Sequence, residues 1–124
     1  MAIELNHTIV PVRDKEESAR FYETIFGFAH QEPMGHFQPI HLPSQSLTLD
    51  LDNREVVEHH HYAFKVSEPE FDEIFGRIME AGLKYGSGPR SSTDMEINTR
   101  DGGRGVYFRD PSGHLLELIT RDYA

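Results

Sequence analysis

The sequence predicts an α+β domain that contains an internal repeat. Two segments have apolar residues at helical spacing, each follows a strand-like segment, and several short strand-like segments follow each one. Sliding the first half along the second matches His7 to His61 and Phe21 to Phe75, and the elements keep their order. Such a repeat predicts two modules, about residues 1–55 and about 56–124, whose curved sheets enclose a shared cavity with one helix outside each. The alternative is two unrelated α+β halves with similar periodicity.

The first module begins with Ile3 to Val12, where β-branched residues predict a strand. Asp14 can cap a helix because a glutamate stands three residues later, and Gly27 can end that helix in a left-handed conformation. Further strands are predicted at residues 28–31, 36–42 and 46–52. In the last of these the leucines share one face, which leaves Asp50 on the other.

The second module repeats the pattern from the strand His61–Val66. Ser67 caps a helix that Gly82 ends, and the chain closes with two strands joined by an Asp-Pro-Ser-Gly turn before His114. The polar stretch 85–105 between them is longer than an ordinary connection, so we expect it to be a binding loop that sets substrate specificity.

Composition excludes several classes of protein. The 124 residues carry 12 Lys and Arg against 21 Asp and Glu, a net charge of -9 that argues against nucleic-acid binding. No apolar run is long enough to span a membrane and no signal peptide is evident, so we expect a cytoplasmic protein. The absence of cysteine excludes disulfides, iron–sulfur clusters and thiolate nucleophiles.

Strand alternation selects a few polar side chains that face away from the predicted helices. His7, His61 and Glu117 are such residues, and Asp50 could join them. An ionised glutamate in a strongly apolar strand is costly unless it is paired or bound to a metal. Two imidazoles and a carboxylate suit Zn, Fe, Mn, Ni or Co. The alternative is that each of these side chains is an ordinary solvent-facing or salt-bridged group.

Other polar features are interpreted as structural. Alternation turns His60 away from its neighbours in the triple-histidine run, so we expect His59 and His60 to face solvent. The cations in and near the long loop are interpreted as solvated: Lys84, Arg90, Arg100 and Arg104.

Three sequence motifs carry a family resemblance: residues 6–12 (NHTIVPV), 18–28 (SARFYETIFGF) and 105–119 (GVYFRDPSGHLLELI). They resemble the vicinal oxygen chelate superfamily, which includes glyoxalase I, extradiol dioxygenases, fosfomycin-resistance thiol transferases and bleomycin-binding proteins. The resemblance covers essentially the whole chain. It implies a single domain over residues 1–124, in which two βαβββ modules form a cupped mixed sheet, and a homodimer.

The resemblance also implies a site for a divalent metal ion: Zn, Ni, Co, Mn or Fe(II). The ligand positions of the family fall on His7, His61 and Glu117, and Asp50 stands where glyoxalase I has a fourth ligand. Glu117 would be both a ligand and a possible base, and Tyr107 would line the cavity if its strand neighbours pack on the helix.

The function implied is a metal-dependent enzyme that acts on a small substrate with vicinal oxygens. A glyoxalase-like lyase or isomerase is favoured over an extradiol dioxygenase, because Asp50 supplies a possible fourth ligand whereas three ligands would suit an Fe(II) oxygenase. The fosfomycin transferases usually carry Thr where this chain has Ile9. The alternative class is a non-catalytic small-molecule binding or resistance protein.

Overall fold

The computed structural model describes residues 2–122, and within them the chain forms two α-helices and seven strands. The chain divides into two compact units, one ending at Glu58 and the other beginning at His59. In order, the elements are β1 (His7–Val12), α1 (Lys15–Phe26), β2 (Gln38–Leu42), β3 (Leu47–Asn53), β4 (His61–Lys65), α2 (Glu68–Glu80), β5 (Tyr85–Gly86), β6 (Gly105–Arg109) and β7 (Leu115–Ile119). Across residues 2–122, neither helix has the length and apolar character needed to cross a bilayer.

The first unit has three strands in the order β1-β3-β2, and β3 pairs in parallel with β1 and antiparallel with β2. Its helix begins and ends where the sequence predicts. The Asp14 carboxylate accepts two of the orphan N–H groups at the start of the helix, those of Glu16 and Glu17. Gly27 ends the helix at φ 79°, and its N–H donates to the Glu23 carbonyl.

The strand expected at residues 28–31 does not form. The Phe28 ring stacks on Phe26 of α1 at a centroid distance of 5.2 Å, which turns this segment toward the helix. The Gln31 carbonyl accepts its hydrogen bond from the Gln38 side chain at 2.8 Å and not from a neighbouring strand. The first module is therefore βαββ, with a single bridge between Met34 and Phe37 before β2.

The second unit forms the complete βαβββ pattern, with the strand order β4-β7-β6-β5. Ser67 and Glu70 make the reciprocal capping box of α2. β5 has only two residues, and the loop after it is held by its own hydrogen bonds, including those of Asp94 to Ser87 and of Asn98 to Gly105. The α+β class predicted from the sequence is confirmed.

One face of each sheet is apolar and buried. In the first unit it includes Val10, Ile40, Leu49 and Leu51, and in the second unit Val106, Phe108, Leu116 and Leu118, with Phe71, Ile74 and Ile78 buried on α2. Because side chains alternate along a strand, this burial leaves the opposite face of each sheet for polar residues.

Candidate functional site

The polar face of the second sheet brings His61 and Glu117 together. β7 lies between β4 and β6, and the register sets Glu117 beside Ala63 on one side and Tyr107 on the other. His61 Nε2 lies 3.0 Å from Glu117 Oε1. Glu117 is 1% exposed whereas the His61 side chain is 46% exposed. A buried carboxylate therefore meets an imidazole that opens to solvent.

The hydrogen bonds of His61 leave its metal-binding nitrogen facing the carboxylate. Nδ1 lies 2.9 Å from the Leu115 carbonyl oxygen, which can only accept, so Nδ1 carries the proton. A neutral ring then has its lone pair on Nε2, directed at Glu117 Oε1. Two lone pairs at this distance are stable only with a cation between them, a proton or a metal ion. A histidine anchored through Nδ1 to a carbonyl is the usual arrangement of a ligand that binds through Nε2.

Tyr107 lies against this pair. It is 3% exposed, and its ring stacks on His61 at a centroid distance of 6.0 Å and an interplanar angle of 16°. Arg100 Nη1 donates to the Tyr107 hydroxyl at 3.0 Å. Arg100 is exposed, as its interpretation as a solvated cation predicts, and it makes this specific contact in addition. Nothing in the local pattern signals this contact, because it depends on how the loop folds back before β6.

The turn after β6 fixes the start of β4. Asp110 Oδ1 accepts the backbone N–H groups of Ser112 and His114 at 3.0 and 2.9 Å, and His114 Nδ1 accepts the His60 N–H at 2.9 Å. The Leu115 N–H donates to the His60 carbonyl at 2.9 Å. These bonds hold the residue immediately before His61 from both of its backbone groups.

Contrary to the prediction, His60 does not face solvent. Its Nδ1 lies 2.9 Å from the Tyr62 hydroxyl, and its ring is half-buried beside His114, whereas His59 is exposed as predicted. Burial, and secondarily the negative charge of Asp110, raise the pKa of Tyr62 above its ordinary value. Alternation does place His60 on the same side as Tyr62, but a single sequence does not show that His114 covers this side of the chain.

The other two predicted ligands lie in the first unit. His7 and Asp50 both line a cavity of about 610 Å³ on the polar face of that sheet. Their strands are adjacent, and His7 is paired with Thr48 and Asp50 with Ile9. His7 Nδ1 lies 2.7 Å from Asn6 Oδ1, so this ring too can keep Nε2 for a metal.

Residues 2–122 contain no group of three His, Asp or Glu side chains placed to hold a metal ion. The structure thus joins His61 to Glu117 in one unit and places His7 and Asp50 along one cavity in the other. The donors themselves fit a divalent ion, because two anchored imidazoles and a buried carboxylate are the ligand types that such ions prefer.

Comparison with known proteins identifies the family. The model of the Glyoxalase/Bleomycin resistance protein/Dioxygenase superfamily matches residues 4–118. The chain therefore belongs to this superfamily, as the three sequence motifs at residues 6–12, 18–28 and 105–119 predict.

Relatives within the superfamily have different activities. The solved structure of "Oxidase ChaP-H2" is 50% identical, covers 100% of this chain and 98% of its own, and superposes with a TM-score of 0.94. Metallothiol transferase FosB of Shouchella clausii is 31% identical over 94% of this chain and 79% of its own length. Fosfomycin resistance protein FosX from Mesorhizobium loti is 26% identical with a TM-score of 0.72, over 98% of this chain and 95% of its own.

Proposed function

We propose that this protein is a metal-dependent oxidase of a small organic substrate with two adjacent oxygens, with dioxygen as the electron acceptor. The observation that carries the proposal is the contact between His61 Nε2 and the buried Glu117 carboxylate, two metal-ligating groups with either a proton or a metal ion between them. The 50% identity to a protein named an oxidase, against 31% to a named thiol transferase, supports oxidation over thiol transfer.

We assign the metal ion to His7, His61 and Glu117, in a homodimer in which either copy of the chain can contribute His7. Two histidines and one carboxylate form the triad of non-haem Fe(II) oxygenases, which leaves positions open for substrate and dioxygen. We assign Asp50 to the wall of the cavity that it lines, because a fourth protein ligand would occupy one of those positions. When bound, the metal would supply a Lewis acid for the two substrate oxygens.

The side chains around the metal have separate roles in this proposal. The Leu115 carbonyl fixes the orientation of His61, and burial keeps water from the Glu117 carboxylate. The Tyr107 hydroxyl, which accepts a hydrogen bond from Arg100, would donate to a substrate oxygen beside the His61 ring. Preorganised donors of this kind stabilise charge as it develops on the substrate.

The test compares metal content and oxygen uptake in untagged full-length protein. After anaerobic loading with Fe(II) and desalting, elemental mass spectrometry should find about one iron per chain in the wild type. His61→Asn and Glu117→Gln should retain less by more than about tenfold, because loss of even an outer-sphere partner costs 10–100-fold. In Glu117→Gln the side-chain amide N–H can donate to His61 Nε2, so the fold is kept while the charge is removed.

His59→Asn is the matched control, since His59 belongs to the same histidine run, is exposed, and should leave metal content unchanged. Oxygen uptake with ortho-diphenols, lost in Glu117→Gln, would support the oxidase. Isomerisation of a hemithioacetal without oxygen uptake would contradict the oxidase proposal and support the glyoxalase-like chemistry favoured from the sequence. Failure to retain any metal would replace both by a non-catalytic binding protein.

A further inference from the structure

Among its described Asp, Glu, Lys and Arg side chains, the lining of the first unit's cavity has only acidic ones. Its volume of about 610 Å³ lies within the range of sites that enclose drug-sized ligands. Two carboxylates line it, those of Glu32 and Asp50, and none of the described residues that line it is Lys or Arg. In the metal-free protein, a bound anion would meet two negative charges and no formal positive charge from a lysine or arginine, so its binding is opposed.

The uncharged part of the lining suits a molecule with hydroxyl groups on a carbon skeleton. His41 and Thr48 face each other across β2 and β3, with Nδ1 of the histidine 3.2 Å from the threonine Oγ1. Both side chains line the cavity and are part-buried, so they offer hydrogen-bonding groups in fixed positions. Pro33, Met34 and Pro39 add apolar surface for the skeleton of a ligand.

We propose that this cavity binds a neutral, hydroxyl-bearing organic molecule of drug size and rejects anions. Its hydroxyl groups would donate to the Glu32 and Asp50 carboxylates, which can only accept. This inference names the substrate class of the proposed oxidase. It rests on the proposed function only in treating the bound molecule as a substrate that is then oxidised; the binding itself does not depend on it. It sets this chain apart from its fosfomycin-resistance relatives, since fosfomycin is an anionic phosphonate.

The experiment measures binding to the metal-free, full-length protein near neutral pH by titration calorimetry. Methyl chlorogenate and chlorogenate are matched probes that share one hydroxylated skeleton and differ in a single negative charge. The ester should bind at least about tenfold more tightly, which corresponds to 1.4 kcal/mol. Amide chemical-shift changes in isotope-labelled protein should fall on residues of β2 and β3.

A double variant, Glu32→Gln with Asp50→Asn, should reduce this preference to near unity, mainly by improving chlorogenate binding. Asp52→Asn is the matched control, because Asp52 is the next residue on the same face of β3 but does not line the cavity. The preference should persist in that control. Equal binding of the two probes, binding of neither, or a preference unchanged in the double variant would overturn the proposal.

The failure of this proposal is distinguishable from the failure of the proposed function. Binding is measured without metal or turnover, so a protein that takes up no oxygen can still prefer the ester. Conversely, a protein that retains iron and consumes oxygen but binds both probes equally would keep its oxidase function and lose the charge selection.

Discussion

Truncation of Asp110 should strongly destabilise the second unit. The side chain is 5% exposed, and one of its oxygens accepts the backbone N–H groups of Ser112 and His114. Asp110→Ala leaves two buried donors without this acceptor. Each such loss costs about 1–3 kcal/mol, so the free energy of unfolding should fall by about 2–6 kcal/mol.

Asp110→Asn separates the role of the acceptor from that of the charge. An asparagine keeps one carbonyl oxygen at the same position and can accept both N–H groups. Hydrogen bonds to a charged group are stronger than neutral ones by about 1 kcal/mol, so the expected loss is about 1–2 kcal/mol for the two bonds.

Urea unfolding followed by far-ultraviolet circular dichroism measures both variants, provided that the slope of the transition is unchanged. The reasoning would be refuted if Asp110→Ala lay within about 0.5 kcal/mol of the wild type, the usual range of neutral surface changes. It would also be refuted if the two variants were equally destabilised, because the charge and not the acceptor would then matter.

Two further predictions concern titration and helix capping. Because its folded-state pKa is raised, Tyr62 contributes stability that is present below the ordinary value of 10.0 and is lost as the pH rises through the raised pKa. From pH 9 upward, the free energy of unfolding should fall more steeply with pH in the wild type than in Tyr62→Phe, and equal slopes would contradict this prediction. Asp110→Asn should lower the Tyr62 pKa in an absorbance titration without restoring the ordinary value, since burial is the larger cause. Ser67→Ala removes the acceptor of the Glu70 N–H and should cost about 1 kcal/mol in urea unfolding, whereas a change below about 0.3 kcal/mol would show that the cap is not needed.

The helix ends and strand faces could be predicted because local chemistry determines them. Asp14 and Ser67 cap the two helices through bonds to residues two or three positions away. Strand alternation puts Glu117 of β7 on the face opposite Leu116 and Leu118, in a strand that is otherwise apolar. These features depend on a few adjacent residues, so a single sequence carries them.

The features that sequence reasoning missed depend on contacts between distant segments. The strand expected after α1 is replaced by a ring stack with Phe26 and a side-chain bond from Gln38. The contact of Arg100 with Tyr107 requires the long loop to close through the pairing of Asn98 with Gly105. No periodicity encodes such contacts, because they depend on the path of a loop.

The candidate site was predictable in its residue types and only partly in its geometry. Alternation places His61 and Glu117 on one face, and the register of β4 and β7 then makes them neighbours. The anchoring of the His61 ring to the Leu115 carbonyl could not be predicted, because it depends on side-chain torsion and the exact stagger of two strands.

The bonds that hold His60 have a consequence for errors in folding. If β4 slipped by one residue along β7, His61 would turn to the apolar side of the sheet and Tyr62 would take its place beside the carboxylate. Such a slip would also break the paired bonds of His60 with His114 and Leu115. Misaligned chains would therefore lose these bonds along with the candidate ligand pair, so the same contacts that position His61 also disfavour the shifted register.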